Sequence, residues 1–162
     1  MTDFEALLGR LRDRGVEFVL VGGVAATVHG SARLTQDLDV VYDRSRTNVE
    51  RLVTALADLK PYPRGAPPGL PFQWLVETVL AGLNFTLTTA LGDLDLFGEI
   101  TGGGTYQDLL PDTVTIELFG GRVRCLSLER LIETKRAAGR PRDFEAIAEL
   151  EAIREERETA SE

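Results

Sequence analysis

The apolar run Val16-Glu17-Phe18-Val19-Leu20-Val21 stops at Gly22-Gly23, and this junction limits the fold more than any other feature of the chain. β-Branched and aromatic residues suit a pleated, packed surface, so the run predicts a buried strand. Paired glycines at its end permit a tight turn and a close approach of the backbone to another group. Val24 to Val28 predict a short helix closed by His29-Gly30, and residues 31–36 a polar loop. Asp37-Leu38-Asp39-Val40-Val41-Tyr42 then predicts a second strand. A strand, a helix and a strand in such close succession call for a sheet with helices packed on it.

The remaining segments extend that pattern. Thr2-Asp3-Phe4-Glu5 reads as a capping box with Thr2 at the cap, opening a helix over 3–14 that stops at Gly15. Ser45 caps a helix over 46–59. The Pro- and Gly-rich segment 61–71 predicts a surface loop, and 72–81 a helix with Trp74 as a core anchor. Residues 84–90 and 93–100 predict strands joined tightly at Leu91-Gly92. Residues 101–112 predict a loop with one helical turn, and 113–119 with 122–126 a hairpin about Gly120-Gly121. A helix opens at Ser127 and ends near Gly139, and Asp143 caps a last one to about 156. The expectation is one domain over 1–156 with a charged, frayed tail at 157–162. Its class is α/β (α+β), a mixed, partly antiparallel sheet flanked by helices.

Composition narrows the function. With 162 residues, 43% of them hydrophobic, the chain is no disordered segment. A lone Cys125 excludes an internal disulfide and reads as inert core. No apolar run is long enough to span a bilayer, and Met1 to Glu5 lack the features of a signal peptide. The expected location is the cytoplasm, with no membrane partner. A net charge of −8 argues against a broad electrostatic grip on nucleic acid. His29 is expected to end its helix, where a positive charge is tolerated.

The acids carry the chemistry. Residues i and i+2 of a strand share a face, so Asp37 and Asp39 project together while Leu38 and Val40 point into the core. Paired carboxylates repel, and a hard divalent cation such as Mg²⁺ or Mn²⁺ relieves the conflict. Gly92-Asp93-Leu94-Asp95-Leu96 repeats the alternation. If that strand lies beside the first, one of its acids can join the pair and act as base toward a hydroxyl. Asp95, well inside the strand, is the better placed; Asp93, beside the turn, is its competitor.

Val21-Gly22-Gly23, Asp37-Leu38-Asp39 and Asp95 together resemble the signature of the nucleotidyltransferase superfamily. The run Ser31-Ala32-Arg33-Leu34-Thr35-Gln36-Asp37 is similar to small bacterial members related to minimal nucleotidyltransferases, whose relatives include the AbiEii-type toxins of toxin–antitoxin systems. Leu131-Ile132-Glu133-Thr134-Lys135 and the segment Ala137 to Asp143 are similar to the same group, so the resemblance spans roughly residues 16–150. It implies transfer of a nucleoside monophosphate from an NTP such as ATP to an acceptor hydroxyl on an RNA or tRNA end, a protein or a small molecule. Asp37 and Asp39 would hold two Mg²⁺ or Mn²⁺ ions, about 3.5–4 Å apart in such sites. Asp95 would bind the catalytic ion and activate the acceptor. Gly22 and Gly23 would position phosphates, Ser31, Arg33 and Thr35 would line the triphosphate, and Lys135 would neutralise charge there. A toxin or antitoxin partner is a further implication. One alternative is a catalytically silent relative serving as a binding or regulatory module, such as an antitoxin. Another is an Asp-x-Asp glycosyltransferase, which normally needs a longer chain and gains nothing from Gly22-Gly23.

Overall fold

The structure is a computed structural model that describes residues 1–161. Helix α1 (Phe4–Asp13) leads into β1 (Phe18–Val21), α2 (Gly22–Val28) and β2 (Asp37–Tyr42). Helix α3 (Arg46–Leu56) ends in a 3₁₀ turn and is followed by β3 (Tyr62–Pro63), α4 (Val76–Ala81), β4 (Phe85–Thr89) and β5 (Gly92–Phe97). Short strands β6 (Glu99–Ile100) and β7 (Gly104–Thr105) pair with each other and precede α5 (Tyr106–Leu109). The hairpin β8 (Thr113–Leu118) and β9 (Gly121–Leu126) comes next, then α6 (Leu128–Ala138) and α7 (Phe144–Ala160).

Seven strands form one mixed sheet in the order β3-β4-β5-β2-β1-β9-β8. β2 lies between β1, which runs antiparallel to it, and β5, which runs parallel. Helices α1, α3 and α4 pack in series, and α2, α6 and α7 form a second group. Register fixes which way the acids point. Leu38, Val40, Leu94 and Leu96 are buried essentially completely. A one-residue slip would turn them out and the acids in. Each such leucine gains about 1.5–3 kcal/mol from burial, so the slip is strongly disfavoured.

Several local expectations need correction. Asp3, not Thr2, caps α1 by accepting from the Ala6 amide. The Thr2 hydroxyl instead donates to the Gln36 carbonyl and accepts from the Asp93 amide. Segment 61–71 is not all loop: Tyr62 and Pro63 pair with β4 at the sheet edge, where proline's missing N–H does no harm. The helix expected over 72–81 begins only at Val76. Close hydrogen bonds from Phe72 to Leu70 and from Leu75 to Gln73 hold the preceding residues in turns. Trp74 anchors there, its indole N–H donating to the Val53 carbonyl. The strand expected over 93–100 breaks at Gly98, whose amide is taken by Asn84 Oδ1 and the Leu83 carbonyl.

Asp143 makes no side-chain cap on α7; its carboxylate turns to Arg140 and Lys135. α7 continues to Ala160, so residues 157–160 are helical and not frayed, while Glu162 lies outside the described residues. Arg157 uses that extra turn to donate to both the carbonyl and Nδ1 of His29. His29 is therefore no cation at a helix end. Burial lowers its pKa, and Nε2 donates to the Leu126 carbonyl. Cys125 is buried beside it, with its thiol pushed up to about 12 by desolvation. Among the described residues no helix is long and apolar enough to cross a membrane.

Candidate active site

Parallel pairing of β2 with β5 sets Asp37 opposite Asp93 and Asp39 opposite Asp95. Residues aligned this way share a face, so all four acids emerge on one side of the sheet. One oxygen from each of Asp37, Asp39 and Asp95 lies within 4.8 Å of the others. Asp95 is thus the second-strand acid that joins the pair, and Asp93 stands beside it, nearer the turn.

The half-buried environment opposes ionisation of Asp39 and Asp95. Burial raises the Asp39 carboxyl to about 7, with the charges of Asp95 and Asp37 adding to the effect and Arg64 opposing it. Burial also raises Asp95, against the pull of Arg64. Asp39 Oδ1 is buried and has no hydrogen-bond partner among the described residues. An unpartnered buried carboxylate oxygen is costly unless a cation meets it. Three hard oxygen donors with one such atom fit Mg²⁺ or Mn²⁺.

Gly22 and Gly23 follow β1 and lie against the acid-bearing strand. Val21 pairs with Asp39, and Gly22 has φ +66°. A Cβ added at Gly22 would lie 2.8 Å from the Asp39 Cβ, and one at Gly23 would lie 2.7 Å from the Thr35 Cβ. Both positions therefore need glycine for close approach. The Thr35 hydroxyl donates to the Asp37 carbonyl at 3.3 Å, stitching the loop to the start of β2.

A cavity of about 340 Å³ opens beside Asp39 and Gly22, and Lys135 of α6 and Arg140 also line it. The two cations share one acid: Arg140 Nε donates to Asp143 at 2.7 Å, and Lys135 Nζ lies 3.9 Å from the same carboxylate. Ser31 and Arg33 do not line this cavity. The Ser31 hydroxyl donates to Glu149 of α7 at 2.5 Å, and Arg33 lies 3.6 Å from Glu145.

Arg64 is the residue that sequence reasoning missed. Its amide donates to the Thr86 carbonyl, carrying the β3–β4 pairing one residue further. Thr86 pairs with Asp95 and Asp95 with Asp39, which places Arg64 at the end of that row. The guanidinium donates to Asp95 at 2.7 Å and to the Leu87 carbonyl at 2.8 Å. It also lies 3.5 Å from Asp93 and 3.6 Å from Asp37. The one sequence signal was Pro61-Tyr62-Pro63, an extended stretch suited to a sheet edge. Arg140 was visible as part of the similar C-terminal segment without an assigned role, and Asp143 was expected only as a helix cap.

No family model and no curated protein matches the chain at the level of sequence. Solved structures do resemble it. The lincosamide antibiotic adenylyltransferase LnuA, crystallised with lincomycin bound, superposes with a TM-score of 0.61 at 18% identity, over 94% of this chain and 98% of LnuA. A Thermotoga maritima protein assigned as a nucleotidyltransferase gives a TM-score of 0.55 at 15% identity, over 88% of this chain and 86% of that one. The mixed sheet and its helices therefore have the fold of nucleotidyltransferases.

Proposed function

We propose that this chain is a divalent-metal-dependent nucleotidyltransferase that moves a nucleoside monophosphate from an NTP to an acceptor hydroxyl, releasing pyrophosphate. The observation that carries this reading is the convergence of Asp37, Asp39 and Asp95, with Asp39 lining a cavity that Lys135 and Arg140 also line. The metal, held by Asp37 and Asp39, would supply charge stabilisation at the transferring phosphoryl group. Gly22 would let phosphate oxygens approach the backbone, with Gly23 keeping Thr35 close behind it. Lys135 and Arg140 would exchange their shared Asp143 for phosphate oxygens, which accept charge-assisted hydrogen bonds from the same groups. Asp95 would orient the acceptor hydroxyl and take its proton, the hydroxyl oxygen attacking the α-phosphorus as the bond to pyrophosphate breaks. Positioning and preorganised charge do most of this work, so few side chains suffice.

The acidic chain and the near-complete superposition on an adenylyltransferase acting on a lincosamide favour a small hydroxyl-bearing acceptor over RNA or protein. ATP is the corresponding donor. Incubation with each labelled NTP, Mg²⁺ or Mn²⁺ and pooled small hydroxyl compounds tests the reading. We expect label transfer that disappears in Asp39→Asn, and transfer to RNA or protein alone would overturn the acceptor class. A toxin role would show as growth arrest on expression that Asp39→Asn relieves.

One observation favours a second reading, the silent binding module. Arg64 already neutralises part of the acidic cluster, and a site satisfied by its own arginine could dispense with metal. Absence of any Mn²⁺ binding together with absence of transfer would establish that module.

A further inference from the structure

The acidic cluster is not filled evenly. On one side, Asp95 receives a 2.7 Å hydrogen bond from Arg64, and Asp93 and Asp37 lie 3.5 and 3.6 Å from the same guanidinium without bonding it. On the other side, Asp39 Oδ1 is buried with no partner. Nor is Arg64 a casual surface side chain. Its side chain is 27% exposed, its backbone is paired to β4, and its guanidinium is fixed a second time by the Leu87 carbonyl. The segment bearing it is held at both ends. The Tyr62 hydroxyl donates to the Pro67 carbonyl and accepts from the Leu70 amide, while the Tyr62 ring packs edge-on against Phe72. The prolines flanking Tyr62 further restrict that strap.

We propose that the Arg64 guanidinium stands in for one of the two cations, so that the chain binds a single divalent ion, held by Asp37 and Asp39. The inference rests on the nucleotidyltransferase reading and narrows its metal requirement. A guanidinium is a permanent cation whose fork suits carboxylates, so it compensates Asp95 and Asp93 at every working pH. A divalent ion on Asp95 would have to displace Arg64 from two anchored bonds or sit beside an unscreened positive charge. At Asp39 the guanidinium makes no hydrogen bond that an ion would have to displace, and the unpartnered oxygen gains its missing partner. Asp95 keeps its role toward the acceptor hydroxyl, with its charge balanced by the chain itself.

Mn²⁺ titration of the full chain without nucleotide, read by loss of the free-ion spin-resonance signal, tests this. We expect one tight ion per chain for the native sequence, two for Arg64→Gln, one for Arg64→Lys, and none tight for Asp39→Asn. Two ions of similar affinity on the native chain would overturn the inference while leaving the nucleotidyltransferase reading intact. A single ion on a folded Arg64→Gln chain would also overturn it. No Mn²⁺ on any form would overturn the broader reading and the inference with it. The native stoichiometry decides the matter even if Arg64→Gln does not fold.

Discussion

Cations flank the acidic cluster on two sides, and the two flanks are held by different means. Arg64 is clamped by backbone pairing, by a main-chain carbonyl and by three carboxylates. Lys135 and Arg140 are held through one acid, Asp143, and the lysine contact is long at 3.9 Å. A charge fixed by several partners is part of the framework, because replacing all of them at once has no ligand equivalent. A charge held by a single carboxylate can change partner when phosphate arrives. The comparison separates a flank that shapes the metal site from a flank that receives substrate, with Asp39 at the boundary.

The largest effect should come from removing that boundary. Asp39→Ala is expected to abolish tight Mn²⁺ binding and to lower transfer by roughly 10³-fold, since loss of metal charge stabilisation is worth several kcal/mol. Retention of metal would show that the two flanks do not meet at this residue. Gly22→Ala comes next. Its positive φ and the Asp39 Cβ lying 2.8 Å from the added methyl should together cost about 1–3 kcal/mol. Denaturant melts would show the loss, with weaker Mn²⁺ binding beside it. Lys135→Met or Arg140→Met should raise the KM for NTP by roughly tenfold with the Mn²⁺ affinity unchanged, reflecting one charge-assisted hydrogen bond of about 1.5 kcal/mol. An altered metal affinity would merge the two flanks. Arg33→Ala should change NTP binding by about twofold at most, because that side chain is exposed and loosely paired with Glu145 outside the cavity.

Acidity sharpens the same boundary. Asp39 is raised from 3.8 to about 7, so the native state keeps a proton that the unfolded chain has already released. The metal-free protein should therefore lose stability as the pH rises from about 4 to 7, with no further change from this group above that. Mn²⁺ must displace the proton, so its affinity should climb across the same window and level off above it. Melts with and without Mn²⁺ would show the two curves diverging; parallel curves would remove Asp39 from the metal site.

What could be read from sequence was local. β2 spans Asp37–Tyr42 as expected because alternation of acid and apolar residues is a short-range signal. β5 begins one residue early for the same reason, and the Leu91-Gly92 turn set its partner β4. The helix over 72–81 failed because tight turns and the anchored Trp74 outweighed an apolar pattern. Asp143 suited a cap by residue type, yet two nearby cations are stronger partners than one amide. Arg64 was invisible because nothing in its own proline-rich neighbourhood shows what it touches. Its role arises only when β3, β4, β5 and β2 lie side by side, a long-range arrangement that no periodicity encodes.

The parallel pairing of β2 with β5 also has a consequence in time. Asp37 and Asp39 meet Asp95 only across a connection that runs through α3, β3, α4 and β4, because parallel neighbours require a crossover. Such non-local contacts form slowly relative to helices and hairpins. In a refolding experiment, far-ultraviolet helix signal should return first and transfer activity, which needs Asp95 beside the pair, last. Activity would then report arrival at the native topology itself, giving this chain a built-in clock for the closing step of its own assembly.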